Sequence, residues 1–297
     1  MAYTYFTNTS YPGITPVHVF GNRSLHLVSP QELKAWFALT TAFGIVGAVL
    51  TLLLFMIMVI LNKFRTGSGI MISHSQLIDF IICSILNPVQ NVTILQIQSG
   101  RYTLIDCRFV QFTQILFVFV GNWSAVLLAG NRFVAIVLPL HYGKVTTRWA
   151  LALGITTAWI ISLACSVPMY FNVGVVLGMQ PTGACGTVQI SGHFFQSVGI
   201  VSTYFPIALL GAMYMTVFLQ QKLCKREAKR QREAMRKRVA LAKALCCSFL
   251  WYCLCMLPAP VLINFFPDVW RHEFRLLMWT RTLLIIGYAA NPRLLYT

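Results

Sequence analysis

The stretch NRFVAIVLPLHY, residues 131–142, decides the fold when it is considered together with Cys107. Arg132 follows Cys107 by 25 residues, and apolar side chains fill most of the interval. A helix over this interval is roughly 37 Å long at the usual rise per residue. Because the hydrocarbon core of a bilayer is about 30 Å thick, Cys107 and Arg132 can mark the two faces of one membrane-crossing helix.

The composition excludes an ordinary soluble domain. The 297 residues are 57% hydrophobic and only 10% charged, with a mean hydropathy of +0.70. Helices pair their own backbone polar groups, as lipid requires, whereas a membrane barrel would show alternating segments of about ten residues. We therefore predict an all-α membrane protein, a seven-transmembrane helix bundle. Its apolar windows are 36–61, 70–95, 107–138, 149–170, 195–220, 239–264 and 276–296.

The net charge of +16 is concentrated in the loops of one face. Ten Lys or Arg residues lie within 222–243, and Lys63, Arg65, Lys144 and Arg148 fall on the same side of a seven-span topology. The positive-inside rule makes this side cytosolic and places the amino terminus outside. The basic loops are then expected to face anionic membrane lipids, and no nucleic acid partner is predicted.

The chain is predicted to consist of an extracellular amino-terminal segment followed by a helical domain. Residues 1–35 form an extracellular segment without a cleavable signal peptide, so the first span acts as an anchor. Three glycosylation triplets begin at Asn8, Asn22 and Asn91, each on the predicted outer face. The helical domain covers 36–297, and a C-terminal tail is expected to be truncated or lacking.

NRFVAIVLPLHY resembles the DRYxAIxxPLxY signature at the inner end of helix three in rhodopsin-like (class A) G-protein-coupled receptors. The resemblance covers nearly all of 36–297 and rests on one landmark per helix. It implies a multi-pass receptor of the plasma membrane that transduces an extracellular ligand signal to a heterotrimeric G protein. No enzyme activity, cofactor or metal site is expected. The other landmarks are Asp79, Trp159, Pro168, Pro206, Tyr214, Pro258, Asn291 and Pro292.

The resemblance assigns roles to individual residues. Cys107 and Cys185 are the cysteine pair on the predicted oxidising face, so we expect them to form a disulfide. The residues that would meet the G protein are Arg132, Pro139, Leu140 and Tyr214. The residues of the switch, with a candidate sodium site, are Asp79, Asn131, Asn291 and Pro258. Asn291 is the expected polar partner of Asp79.

Several positions depart from the family pattern. Ala48 stands where Asn is usual, Met256 replaces a tryptophan, and Tyr296 comes one place late. Asn131 replaces the acid that precedes Arg132, and the foot of helix six carries Arg238 instead of a glutamate. A neutral amide cannot hold Arg132 by a charge-assisted bond. We therefore predict a loosely held inactive state with appreciable basal activity, and weak sodium coupling.

The ligand is not identified by the sequence and can be a small molecule or a peptide. Gln114 occupies the position where amine receptors place Asp, which disfavours a primary amine, and 276–296 contains no Lys for a retinal Schiff base. Arg281 either reaches towards the interface or contacts an anionic ligand group. The candidate pocket residues are Gln111, Gln114, Met256, Trp279 and Arg281.

Three other classes of protein stay open at this stage. A seven-span transporter or channel would show internal repeats or several intramembrane charges, and the only candidates are Asp79 and Arg281. A membrane enzyme would need a cluster of catalytic groups, but His74 and Asp79 stand alone along the chain. A nonsignalling decoy receptor would fit the altered inner motifs.

Overall fold

The computed structural model shows a helical bundle with one β-hairpin at one end. Within the described ranges, the helices form seven segments that pack against one another. The described residues are 28–60, 67–99, 105–138, 140, 142–180, 183–190, 193–227, 246–266, 269–270 and 273–296.

The helices follow the predicted apolar windows closely. By length and composition the first five helices could each cross a membrane, and a sixth helix, formed by a bent pair, brings the number to six. The last helix, of 23 residues, is also long enough, at about 34 Å, but its arginines and asparagine make it less apolar. The bounds are α1 Pro30–Ile60, α2 Gly67–Ile81 with Ile82–Leu86 and Asn87–Gln98, α3 Cys107–Val137, α4 Arg148–Tyr170, α5 Phe194–Gly199 with Ile200–Tyr204 and Phe205–Glu227, α6 Cys246–Met256 with Pro258–Phe265, and α7 Phe274–Tyr296.

Prolines set the irregular points of three helices. The segments Ile82–Leu86 and Ile200–Tyr204 are π-helical, and they come just before Pro88 and Pro206. The two halves of α6 meet at an angle of 41°, immediately before Pro258. Proline has no N–H to donate and its ring crowds the preceding turn, so the hydrogen-bond ladder must widen or bend there.

The connection between α4 and α5 forms a β-hairpin, which was not predicted from the sequence. Strand β1, Val175–Met179, pairs antiparallel with strand β2, Cys185–Ile190. The turn contains Gly183 with φ of +81°, a conformation that favours glycine. Cys185 is bonded to Cys107 at the start of α3, with 4.9 Å between the two Cα atoms. The predicted disulfide is therefore present, and it holds β2 against the bundle.

The outer surfaces of α1 and α4 are apolar, as expected for helices in contact with lipid. Buried positions on α1 are few and face α2 and α7. On the side of α7, Trp36 Nε1 donates to the carbonyl of Met278 and to Thr282 Oγ1, both at 3.0 Å. The exposed apolar side chains include Ile45, Leu53, Ile60, Trp149, Leu153 and Ile160. This distribution fits a multi-pass membrane protein.

The structure corrects the glycosylation prediction at Asn91. This residue lies inside α2 and is only 2% exposed, and its Nδ2 donates to Thr40 Oγ1 at 3.2 Å. A glycan would need that amide nitrogen and open space around it, so Asn91 is a packing residue between α1 and α2. Asn8 and Asn22 lie outside the described residues.

Candidate functional site

Two cavities lie along the axis of the bundle. The outer cavity, at the end that carries the disulfide, has a volume of about 180 Å³ and is lined by residues such as Gln90, Gln111, Thr187 and Arg281. The inner cavity, towards Arg132, has a volume of about 80 Å³. Its lining includes Asp79, Arg132, Tyr214 and Asn291.

The two cavities meet at two residues. Asn122 on α3 and Met256 on α6 belong to the lining of both. Both side chains are buried, so they form the partition between an outer and an inner chamber. Any change at the outer cavity that moves Met256 or Asn122 also changes the inner cavity.

The predicted pocket residues are brought together with one exception. Gln111, Gln114, Met256 and Arg281 all line the outer cavity, but Trp279 does not and is 48% exposed. Residues two apart on a helix point about 200° away from each other, so Trp279 and Arg281 cannot share a face. The prediction for Trp279 is therefore wrong.

Arg281 points into the bundle instead of towards the membrane interface. Its Nη1 donates to Gln90 Oε1 at 3.0 Å, and its Nη2 donates to the backbone carbonyl of Cys185 at 3.1 Å. The interpretation in which Arg281 reaches out to the interface is thus wrong. Gln90 was not predicted from the sequence. The available signal was that Gln90 and Asn91 follow Asn87 at i+3 and i+4, which places polar side chains on one face of an apolar helix.

The inner cavity contains the acid and the amide that the sequence analysis expected to meet. Asn291 Nδ2 donates to Asp79 Oδ2 at 2.6 Å, which joins α7 to α2. Asp79 is 3% exposed, and a carboxylate so deep in a bundle needs such a donor. The hydroxyl-bearing Tyr288 lies in the same lining.

The inner end of α3 is described in part. Asn131 is 3% exposed and its Oδ1 has no hydrogen-bond partner among the described atoms. Leu140 is 93% exposed. Pro139 and Arg238 lie outside the described residues, and so does the side chain of Tyr296, although its backbone ends α7.

Comparison with known proteins decides the family. Residues 51–296 match the family model of the 7 transmembrane receptor (rhodopsin family). The chain belongs to this family. Its members are receptors and not enzymes, and the seven-helix architecture predicted from the sequence is confirmed.

Individual relatives are distant from this receptor. Neuropeptide receptor 22 of Caenorhabditis elegans is 23% identical over 298 residues, covering 92% of this chain and 67% of the relative. G-protein coupled receptor 84 of Mus musculus is 26% identical over 64% of this chain and 47% of its own length. Melatonin receptor type 1B of Rattus norvegicus is 25% identical, over 65% and 52%. The chain thus spans only about half the length of the last two.

Asn122 connects three helices of the receptor at the partition between its cavities. Its Nδ2 donates to the carbonyl of Ser202 at 2.9 Å, and its Oδ1 accepts from the hydroxyl of Tyr252. Ser202 lies four residues before Pro206, so its carbonyl has lost its usual helical donor. The amide of Asn122 supplies the replacement. It therefore stabilises the π-helical segment of α5 and ties it to α3 and α6.

His74 is a second junction, which the sequence analysis described as an isolated histidine. Trp159 Nε1 donates to His74 Nε2 at 3.0 Å, and Ser124 Oγ lies 3.2 Å from His74 Nδ1. Since indole can only donate, Nε2 is the acceptor and the proton belongs on Nδ1, directed at the serine. The neutral ring thereby joins α2, α3 and α4. A sequence cannot reveal a junction formed by three separate helices.

We expect His74→Leu to destabilise the receptor by about 1–3 kcal/mol, because the Trp159 N–H would lose its acceptor inside the bundle. Thermal unfolding of purified protein in detergent micelles measures the loss. The control is the same change in a Trp159→Phe background, where there is no donor to leave without a partner and the cost should be smaller. Equal losses in the two backgrounds would show that the hydrogen bond contributes nothing.

Proposed function

We propose that this protein is a signalling receptor of the plasma membrane that binds an extracellular ligand in the outer cavity and activates a heterotrimeric G protein at its inner end. The observation that carries the proposal is the shared partition, Asn122 and Met256, between the two cavities. A ligand that displaces this partition acts on both chambers at once. In this proposal the amino terminus is extracellular and the basic loops are cytosolic.

The outer cavity has the character of a ligand site. Apolar side chains form most of its wall, and a few polar groups converge on it, as is general for small-molecule sites between helices. The β-hairpin contributes Thr187 to the lining, and the Cys107–Cys185 disulfide fixes the hairpin over this end of the bundle. The proposed ligand residues are Gln111, Gln114, Met256 and Arg281.

The inner end offers the surface for the G protein. Arg132 and Tyr214 line the inner cavity, and Leu140 presents an exposed apolar side chain just beyond α3. Tyr214 on α5 contacts the ring of Phe249 on α6, with 6.1 Å between the ring centroids. Widening of the inner end would separate these rings and expose Arg132. Pro139 is included in this surface on the basis of its place in the sequence motif.

Met256 is suited to carry the signal between the chambers. Its flexible thioether can repack more easily than a rigid ring. A Cβ at Gly287 would lie 2.6 Å from Cys255 Cβ and 3.3 Å from Met256 Cε, so α6 and α7 touch closely at this level. A shift of Met256 must therefore be accommodated by α7, which carries Asn291. We propose that Asp79, Asn131, Asn291 and Pro258 form the switch.

Sodium is a poor fit to the site around Asp79. A hard cation needs several oxygen ligands, whereas the neighbouring positions Ala48 and Gly121 provide no side-chain oxygen, and Asp79 already accepts from an amide N–H. No step of the proposed switch passes through a bound ion. The pair of Asp79 and Asn291 acts as a hydrogen-bonded contact between α2 and α7.

The proposal is tested by nucleotide exchange on a panel of Gα subunits in membranes that contain the full chain. We expect exchange above that of membranes without the receptor, and a reduction of roughly threefold for Arg132→Lys, because lysine keeps the charge but loses the planar fork. Arg148→Lys, at an exposed arginine of α4, is the control and should have no effect. Absence of exchange with every Gα at normal surface expression would favour a decoy receptor.

A further inference from the structure

Arg281 is a cation in the outer cavity whose described partners are all neutral. They are the side-chain oxygen of Gln90 and the backbone carbonyl of Cys185. None of the acidic side chains that the structure describes lines this cavity. The acids whose side chains the structure describes are engaged elsewhere or exposed: Glu32 pairs with Arg275, Asp106 caps α3, Asp79 lies in the inner cavity, and Glu273 is exposed.

A guanidinium inside a bundle is costly unless it meets a negative group. Two neutral acceptors occupy only two of its five N–H donors. The remaining donors belong to a side chain that lines an accessible space. The site thus has the charge and the geometry to take one more acceptor, and an anion would satisfy it best.

The cation also orients its neighbours. Because arginine can only donate, the oxygen of Gln90 must face Arg281, and its Nε2 then donates to Gln111 Oε1 at 3.2 Å. The Nε2 of Gln111 thereby remains available as a donor. These hydrogen bonds connect Arg281 on α7, Gln90 on α2 and Gln111 on α3. The first and the last of the three residues both present N–H groups, and both line the outer cavity.

The rest of the lining is mostly apolar. Arg281, Gln90 and Gln111 lie on α7, α2 and the outer part of α3. The apolar side chains come from α3 to α7, and include Ile115, Phe119, Met169, Phe195, Ile263 and Leu284. A ligand that fills the cavity must therefore combine one acidic group with an apolar body.

We propose that the outer cavity binds a carboxylate attached to a compact apolar group, with the carboxylate between the guanidinium of Arg281 and the Nε2 of Gln111. The proposal rests on the outer cavity being the ligand site of the receptor. The planar guanidinium suits a carboxylate, which it can hold through two parallel hydrogen bonds. A primary amine would be repelled by Arg281, and a neutral lipid would leave its charge without a counter-ion.

The experiment measures binding directly on purified receptor in lipid nanodiscs, without a G protein. The probes are straight-chain monocarboxylates from butanoate to dodecanoate and apolar tripeptides with a free carboxyl terminus. Each probe is paired with its primary amide. Thermal unfolding as a function of probe concentration gives the apparent affinity, since a ligand that binds only the folded state raises the unfolding temperature.

We expect an acid of at least one of the two probe series, the monocarboxylates or the tripeptides, to stabilise the wild type. The affinity of the corresponding amide should be at least about tenfold weaker. Arg281→Gln should lose the preference for the acid over the amide, and Arg281→Lys should recover part of it. The control is Arg275→Gln on the same helix, because the Arg275 side chain is exposed and pairs with Glu32. The affinity of this variant for the acid should equal that of the wild type. The probe series that responds distinguishes an organic acid from a peptide terminus.

Gln111→Leu is a second variant, which removes the donor on α3 while keeping the cation. It tests the carboxylate site if Arg281→Gln does not fold. It should weaken the binding of the acid more than the binding of the amide. The proposal is overturned if no acid in either series stabilises the receptor, if the amides bind equally well, or if both variants keep the wild-type preference. Binding of an acid without nucleotide exchange would support this site while contradicting G-protein activation.

Discussion

Replacing Cys107 with serine is expected to remove most of the folded receptor from the cell surface. The disulfide closes a loop over 78 positions of sequence and fixes β2 to the first residue of α3. Such a bond contributes about 2–4 kcal/mol, a large part of the total stability of a typical protein. Surface staining relative to total protein, together with the unfolding temperature of the purified variant, measures the loss.

Cys247→Ser is the matched control, because Cys247 is exposed and is not bonded to another cysteine. Its surface expression should equal that of the wild type. Peptide mapping under non-reducing conditions should show the Cys107–Cys185 cross-link in both the wild type and the control. Normal surface expression and unfolding of Cys107→Ser would mean that the hairpin is held by its packing alone.

Asn131→Asp is expected to lower the basal activity of the receptor by about fivefold. Asn131 is buried at the inner end of α3, and its Oδ1 has no partner among the described atoms. A carboxylate there would be stable only with Arg132 turned towards it, which favours the closed inner end. A charge-assisted hydrogen bond exceeds a neutral one by roughly 1 kcal/mol, enough to shift a two-state equilibrium by such a factor.

The measurement is nucleotide exchange without ligand at matched surface expression. Asn131→Leu serves as the control, because it removes the amide without adding charge and should leave basal exchange near or above the wild type. Equal reductions in both variants would point to a packing defect. A wild type that shows no basal exchange, and an Asn131→Asp variant that responds like it, would contradict a loosely held inactive state.

The features that the sequence predicted well are those with a local cause. Long apolar windows specify helices because lipid leaves the backbone no other partner, and Pro258 specifies a bend wherever it falls in a helix. The contact between Asp79 and Asn291 was also anticipated, because a carboxylate inside a membrane bundle demands a polar partner.

The features that were not predicted from the sequence depend on contacts between distant segments. Arg281 binds a backbone carbonyl, and no side-chain pattern shows which carbonyl a loop will present. His74 becomes a junction only because Ser124 and Trp159 are brought to its two nitrogens by packing. Asn91 carries a glycosylation triplet, but the extension of α2 beyond Pro88 takes it into the helical core. A three-residue motif contains no information on burial.

Cys185 supplies two different atoms to two different tasks. Its Sγ ties the hairpin to α3, and its carbonyl oxygen accepts a hydrogen bond from Arg281 in the outer cavity. Since every residue has a backbone carbonyl, substitution of Cys185 removes the sulfur and keeps the acceptor. The disulfide, however, fixes the place of that carbonyl beside Arg281. Reduction of the disulfide is therefore expected to loosen a hydrogen bond of the outer cavity together with the hairpin.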